Sequence, residues 1–508
     1  MSDLPKFYII NNGMKDLRGH YFETAISIAE AARDMGWHPI LAGHADCKKE
    51  IAPEWLEFYP IFRVDHWMDS PPFVTGDDEI HVNLKKYEET SIENVIKENT
   101  SFEDYIKNRF YLNPDLSQEV RYSNQSTNIN KKLFSSTFLF KLVERINKKF
   151  SSLFKFSLNK NKLVDQNPSP IESELFNKHV FYLDLSKLLA VTGAKCGDFV
   201  FLPTAHGREL MAITDLLKEG NKGINFGLEF RYSLEPNATP IRKENSYLED
   251  HLFYFKELKK TGLPSEIKLF TDSNELAKEY KNCTGLPFQI LPIPLRQKYI
   301  YDGQQLSKPN TPISLVFLGD SREEKGFHWL PYLIEHLAKE YFETDKITLH
   351  VQASMGMLPE PRCLSALRIL KSYPSKWIKL YGLNDALTSD DYYALLNRAS
   401  ILLCPYNNKI FANRSAGTLA DAIAAGIPTI VPSKTWLASE QPDGTGLKFD
   451  DLESFLTKSK FLIDNFNCYQ KKAIESKQEY SLKHNTKELI KLVTLTELKN
   501  KKLIREVA

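Results

Sequence analysis

The sequence predicts an α/β fold built on parallel sheets, and three observations predict it. The chain has 508 residues, too many for one core and enough for two domains with insertions. Residues 401–432, ILLCPYNNKIFANRSAGTLADAIAAGIPTIVP, read as a buried strand, a polar loop, a small-residue turn, a helix and a second strand. Residues 313–341 repeat the strand, loop and helix order about ninety residues earlier.

Each element has a local cause. Ile401-Leu402-Leu403 is a short apolar run, as expected for a strand covered on both faces of a parallel sheet. Arg414-Ser415-Ala416-Gly417 opens a helix with Leu419, Ala422 and Ile423 on its apolar positions. Gly426 and Pro428 stop it, and Thr429-Ile430-Val431 resumes the sheet. A helix that begins with Ser, Ala and Gly leaves its first N–H groups bare, and together with the helix dipole these suit a phosphate. Asp421, one turn inside, is in reach of a sugar hydroxyl. In the earlier unit Ser314–Leu318 is the strand, 319–326 the loop, and Phe327, Leu330, Ile334, Leu337 and Tyr341 form the apolar stripe of the helix. Ligands of such sheets sit outside the carboxyl ends of the strands, so Arg322 and Lys325 are expected beside the same crevice. Two cations at a helix start are unfavourable by roughly 0.3–1 kcal/mol each and call for an anion. A guanidinium and an ammonium aimed at one pyrophosphate suit a departing nucleoside diphosphate.

These segments together resemble the carboxyl-terminal domain of GT-B glycosyltransferases of the family 4 type. The resemblance rests on G-x-x-R-x-x-K-G at 319–326 and R-S-x-G-x-x-x-D-A-x-A-x-G-x-P at 414–428. It extends to Tyr381-Gly382-Leu383, to the helix begun by Asp390-Asp391, and to Gly444–Phe449, which resembles the late turn before the family's last helices. The family carries two glutamates eight positions apart across the 414–428 segment, where this chain has Asn413 and Asp421. The resemblance implies two Rossmann-like domains facing a central cleft. It implies a nucleotide base against Gly382 and Leu383, the ribose on Asp421, and the diphosphate on Arg322, Lys325 and the helix start at Ser415, Gly417 and Thr418, with Gly319 and Arg414 also in the donor site. In the amino-terminal half, Phe7–Ile10 and Pro39–Gly43 resemble the family's first strands. Gly19 and His20 lie on the loop that faces donor and acceptor there. Residues 198–206 form another strand ending in His206, a candidate contact to donor or acceptor. Residues 226–231 and 267–273 resemble later strands, and 289–294 leads into the interdomain linker. The expected domains are therefore 1–294, with an insertion at about 84–178, then 295–470, then terminal helices over 471–508 that return to the first domain.

The implied activity is that of a retaining, metal-independent hexosyltransferase. Its donor is a UDP- or GDP-sugar, its acceptor a glycan or lipid-linked glycan, and its setting cell-surface polysaccharide synthesis. No cofactor or metal is expected, and Asp77-Asp78 reads as a polar loop. A non-catalytic GT-B subunit, suggested by Asn413, and another GT-B enzyme such as an epimerase or phosphorylase are the alternatives.

Composition narrows the setting. A net charge of +1 argues against a nucleic-acid binder. Six scattered cysteines without a C-x-x-C pair fit reduced thiols in the cytoplasm and no structural zinc. Neither a P-loop nor G-x-G-x-x-G after a strand is present, and no signal peptide or apolar run of membrane length is visible. Residues 131–162 carry nine Lys and Arg against the single acid Glu144, interleaved with aromatic and aliphatic residues. Such a segment suits the inner membrane face, although a helix packed on its host or an unstructured loop has the same composition.

Overall fold

The computed structural model describes residues 4–16, 21–65, 170–220, 223–234, 254–256, 258–296, 312–355, 360–383 and 387–494. The chain divides into two units, 1–68 with 178–508, which carries both sheets, and 69–177. Most of the expected insertion, the 131–162 segment and Asp77-Asp78 lie outside the described residues, as do Gly19 and His20.

The first sheet is wholly parallel, in the order β3-β2-β1-β4-β5-β6-β7. Its strands are β1 (Lys6–Asn11), β2 (His38–His44), β3 (Glu57–Phe62), β4 (Phe199–Leu202), β5 (Asn225–Glu229), β6 (Ile267–Thr271) and β7 (Gln289–Ile290). Helices α1 (Tyr21–Asp34), α2 (Pro170–Val191), α3 (Gly207–Lys218) and α4 (Asn274–Thr284) connect them. Strand order reverses between β1 and β4, which places a crevice beyond their carboxyl ends. The central strands read as continuous apolar runs because both faces are covered: Phe7, Tyr8, Ile9 and Ile10 are all fully buried. Residues 198–206 do not form one strand; β4 stops at Leu202, and His206 instead precedes α3.

The second sheet repeats the plan in the order β10-β9-β8-β11-β12-β13, again all parallel. It contains β8 (Ile313–Phe317), β9 (Ile347–Gln352), β10 (Ile378–Tyr381), β11 (Ile401–Leu403), β12 (Thr429–Pro432) and β13 (Gly446–Phe449). Its helices are α5 (Leu330–Leu337), α6 (Pro361–Ser372), α7 (Ser389–Leu396), α8 (Gly417–Ala424), α9 (Trp436–Glu440), α10 (Leu452–Asp464) and α11 (Phe466–Lys483). The switch point lies between β8 and β11, so the 319–326 loop and the approach to α8 meet there.

Several elements differ from expectation for local reasons. The segment at 444–449 begins in a turn at Gly444, where the Thr445 N–H donates to the Pro442 carbonyl, and continues as the edge strand β13, paired with β12. The helix expected from Phe327 begins as two 3-10 turns, Glu323–Lys325 and Phe327–Trp329, because Gly326 adopts φ 74° between them. The helix at Asp390-Asp391 is capped one step earlier by Thr388, whose hydroxyl accepts from the Asp391 N–H. Helix α11 runs across the boundary expected at 470/471, and Tyr480 packs in the second-sheet core. Beyond it, Leu489, Ile490 and Val493 enter the core of the first sheet beside Phe7 and Ile28. The two crossings run side by side: the Ile293 N–H donates to His484 Nδ1 at 2.9 Å and the Leu295 N–H to Thr486 Oγ1 at 3.2 Å.

Candidate functional site

The loop after β8 is shaped around a lysine. Gly319 has φ 109°, a value that disfavours any side chain, and its N–H donates to Gln352 Oε1 at 2.8 Å. A Cβ at Gly319 would stand 2.5 Å from Lys325 Nζ, so the absence of a side chain is what seats the ammonium. Lys325 is 7% exposed, and burial together with the Arg322 charge pushes its pKa down to about 8. Arg322 Nη1 pairs with Glu324 Oε1 at 2.7 Å, and Arg414 Nη1 lies 3.5 Å from the same oxygen. Part of the anion that the two cations call for is local: Glu324, buried at 3% exposure, supplies a carboxylate. It gathers two guanidinium groups around a buried carboxylate and leaves the Lys325 ammonium beside them.

The opposite wall is α8. Its N-cap, Ala416, has no side-chain oxygen, so the first turn receives no local cap. The helix begins at Gly417, later than the expected start at Arg414-Ser415. Thr418 is buried and its hydroxyl bonds the phenols of Tyr392 and Tyr406. Asp421 is 6% exposed and accepts from Tyr392 Oη at 3.0 Å. Burial lifts its pKa to about 7, against the hydrogen bond from Tyr392. Gly382 and Leu383 follow the edge strand β10, two strands from β8, with Gly382 at φ 67° and Leu383 41% exposed.

Ser415 does not stand free at the helix start. Its hydroxyl donates to Asp272 of the first domain, and Arg231 Nη2 approaches it at 3.4 Å. Arg231 is itself held by Asp272 at 2.9 Å and lies 4.0 Å from Glu229. Asn413 also turns to the first domain, donating from Nδ2 to Glu279 Oε2 at 2.9 Å. Arg414 stacks over Tyr232 at 5.1 Å, and Tyr232 meets the His206 ring edge-on at 5.5 Å. His206 is 2% exposed and its N–H donates to Glu209, so it joins the group through Tyr232.

The structure thus brings Gly319, Arg322, Lys325 and Arg414 together, with Gly417, Thr418 and Asp421 along the facing helix. Sequence reasoning missed Glu324, Tyr392, Arg231, Asp272 and Glu279. The first lies inside the Arg322-to-Lys325 motif and was legible as its central acid. The others come from distant segments, and only the fold makes them neighbours.

Two parallel-sheet Rossmann-like domains with these switch points define a GT-B fold. Solved structures share this fold over 96–99% of the chain. Sucrose-phosphate synthase from Thermosynechococcus elongatus aligns at TM-score 0.53 and 10% identity, covering 99% of this chain and 100% of that one. The E. coli trehalose-6-phosphate protein bound with UDP-2-fluoro glucose aligns at TM-score 0.54 and 11% identity, covering 96% and 99%. WaaG, a glycosyltransferase involved in lipopolysaccharide biosynthesis, gives 0.53 and 11%, covering 96% and 98%. No family model matches the sequence, and no curated protein matches it.

Proposed function

We propose that the chain is a glycosyltransferase that moves a sugar from a UDP- or GDP-sugar to a glycan or lipid-linked acceptor. The observation that carries this reading is the convergence of Arg322, Lys325 and Arg414 with the uncapped start of α8 at the β8/β11 switch point. Asp421 takes the ribose hydroxyls, and the base lies toward Gly382 and Leu383. Breaking the glycosidic bond builds negative charge on the leaving diphosphate and positive charge on the sugar ring. The guanidinium groups, the Lys325 ammonium and the positive end of the α8 dipole stabilise that charge from fixed positions. His206 and the first-domain crevice receive the acceptor. The sugar leaves with its anomeric configuration retained, by attack from the face the diphosphate vacates. The WaaG likeness supports a role in cell-surface polysaccharide synthesis by analogy of fold.

Thermal stability of the purified protein against UDP, GDP, ADP and CMP tests the reading. A nucleotide at 100 times its Kd stabilises by about 2.7 kcal/mol, and a selective shift with one diphosphate is expected. Turnover of the matching sugar nucleotide should then fall about 10²–10³-fold in Arg322→Ala. Selective binding with no transfer to any acceptor would leave a non-catalytic subunit instead.

A further inference from the structure

Three consecutive residues leading into α8 are each held by the opposite domain. Asn413 is gripped twice: its carbonyl accepts from Ser273 Oγ at 3.1 Å, and its amide donates to Glu279. Arg414 stacks on Tyr232, and Ser415 donates to Asp272. The first-domain side of this grip is itself fixed. Ser273 is the N-cap of α4, accepting from the Leu276 N–H at 3.1 Å, so its hydroxyl proton is free to point at Asn413. Glu279 is bonded by Ser233 Oγ at 2.9 Å and by the Leu234 N–H. On the other side, α8 has no side-chain cap to set its first turn.

We propose that Ser273 and Glu279 are positioning residues for the diphosphate site: by clasping Asn413 they set the start of α8 before a ligand arrives. This rests on the donor-site reading above. Within its own domain the 413–416 loop is anchored through Arg414, which meets Glu324 and lies over Phe411, while the Asn413 side chain is held from the first domain. The cost of ordering Asn413 falls either on the clasp in the free protein or on the nucleotide at binding. The clasp assigns that cost to the free protein. It also makes donor affinity a property of both domains, although no first-domain atom of the clasp needs to touch the diphosphate.

Two variants break the clasp without removing a site residue. Asn413→Ala deletes the amide that reaches Glu279. Ser273→Asp keeps an oxygen to cap α4 but presents an anion to the Asn413 carbonyl in place of a donor. Ser273→Thr keeps both functions. The readouts are amide hydrogen exchange over 416–420 in the free protein and the calorimetric Kd for UDP and GDP. Asn413→Ala and Ser273→Asp should exchange faster and bind about 5–30-fold more weakly, the range of a 1–2 kcal/mol loss, while Ser273→Thr matches wild type in both. Equal affinity in all four proteins would overturn the clasp as a positioning device, as would weakened binding without faster exchange. A wild type that binds neither nucleotide would overturn the donor site and this inference with it.

Discussion

Asp421 and Lys325 are buried ionisable groups whose pKa values lie near neutrality, and each gives a pH prediction. Asp421 titrates near 7 when folded and near 3.9 in an unfolded chain. A carboxylate accepts ribose hydroxyls better than a carboxylic acid, so affinity for a nucleoside should rise as pH climbs through about 7. Asp421→Asn should bind more weakly, with a flat profile, in calorimetry with uridine or guanosine. The same group should cost stability as pH rises, because only the folded state holds its proton between the two values. Chemical denaturation from pH 4 to 8 should therefore show a shallower decline in Asp421→Asn. Lys325 has the opposite consequence for phosphate. Its ammonium loses its proton near 8, so diphosphate affinity should fall above that pH. Lys325→Arg should keep its charge to higher pH, and titration of UDP or GDP binding from pH 7 to 10 would expose the difference. That Arg322 and Lys325 share one loop and that Asp421 sits inside α8 was legible in the sequence, because each spacing is local to one loop or one helix. The placement of Asn413 and Ser415 was not, because their partners, Glu279 in α4 and Asp272 just after β6, lie more than a hundred residues away.

At the scale of the element, Gly326 is the tightest point of the site. With φ 74°, it turns the chain between two 3-10 turns, and a Cβ there would lie 1.9 Å from the carbonyl oxygen of Pro405. The atom in the way is backbone, fixed by the loop after β11, so it has little freedom to retreat. Gly326→Ala should cost about 3 kcal/mol or more, combining overpacking with left-handed strain, and urea denaturation measures it. The strands were the most readable elements, since runs such as Ser314–Leu318 and Ile401–Leu403 leave no other use for their side chains. Edge strand β13 was harder to read: only Phe449 of its four residues is fully covered, and Gly446 opens it where Thr429 passes close by. The 3-10 turns after β8 were equally hidden, because apolar spacing registers burial without registering how tightly the backbone winds.

For the whole molecule, the two crossings between domains are tied into one joint. Ser27 of α1 donates to the Leu295 carbonyl at 2.9 Å and lies 3.1 Å from Thr486 Oγ1, so the outgoing and returning segments meet at one helix residue. Arg296 in the same joint pairs with Glu23 at 2.8 Å and Glu30 at 3.1 Å, and Glu23 also receives Ser389 of α7. The return brings Leu489, wholly buried, into the first-sheet core. Leu489→Ala should cost about 2–5 kcal/mol, and proteolysis or denaturation should register the loss at the first domain although the residue is near the other end of the sequence. The order of synthesis gives this packing a further consequence. A ribosome delivers β1 through β7 first, yet Leu489, Ile490 and Val493 emerge only after the second domain. The nascent first domain therefore waits with an unfilled apolar face while nearly two hundred residues are added, a window in which that face is open to chaperones or to mispairing. The domain made first is thus the one completed last.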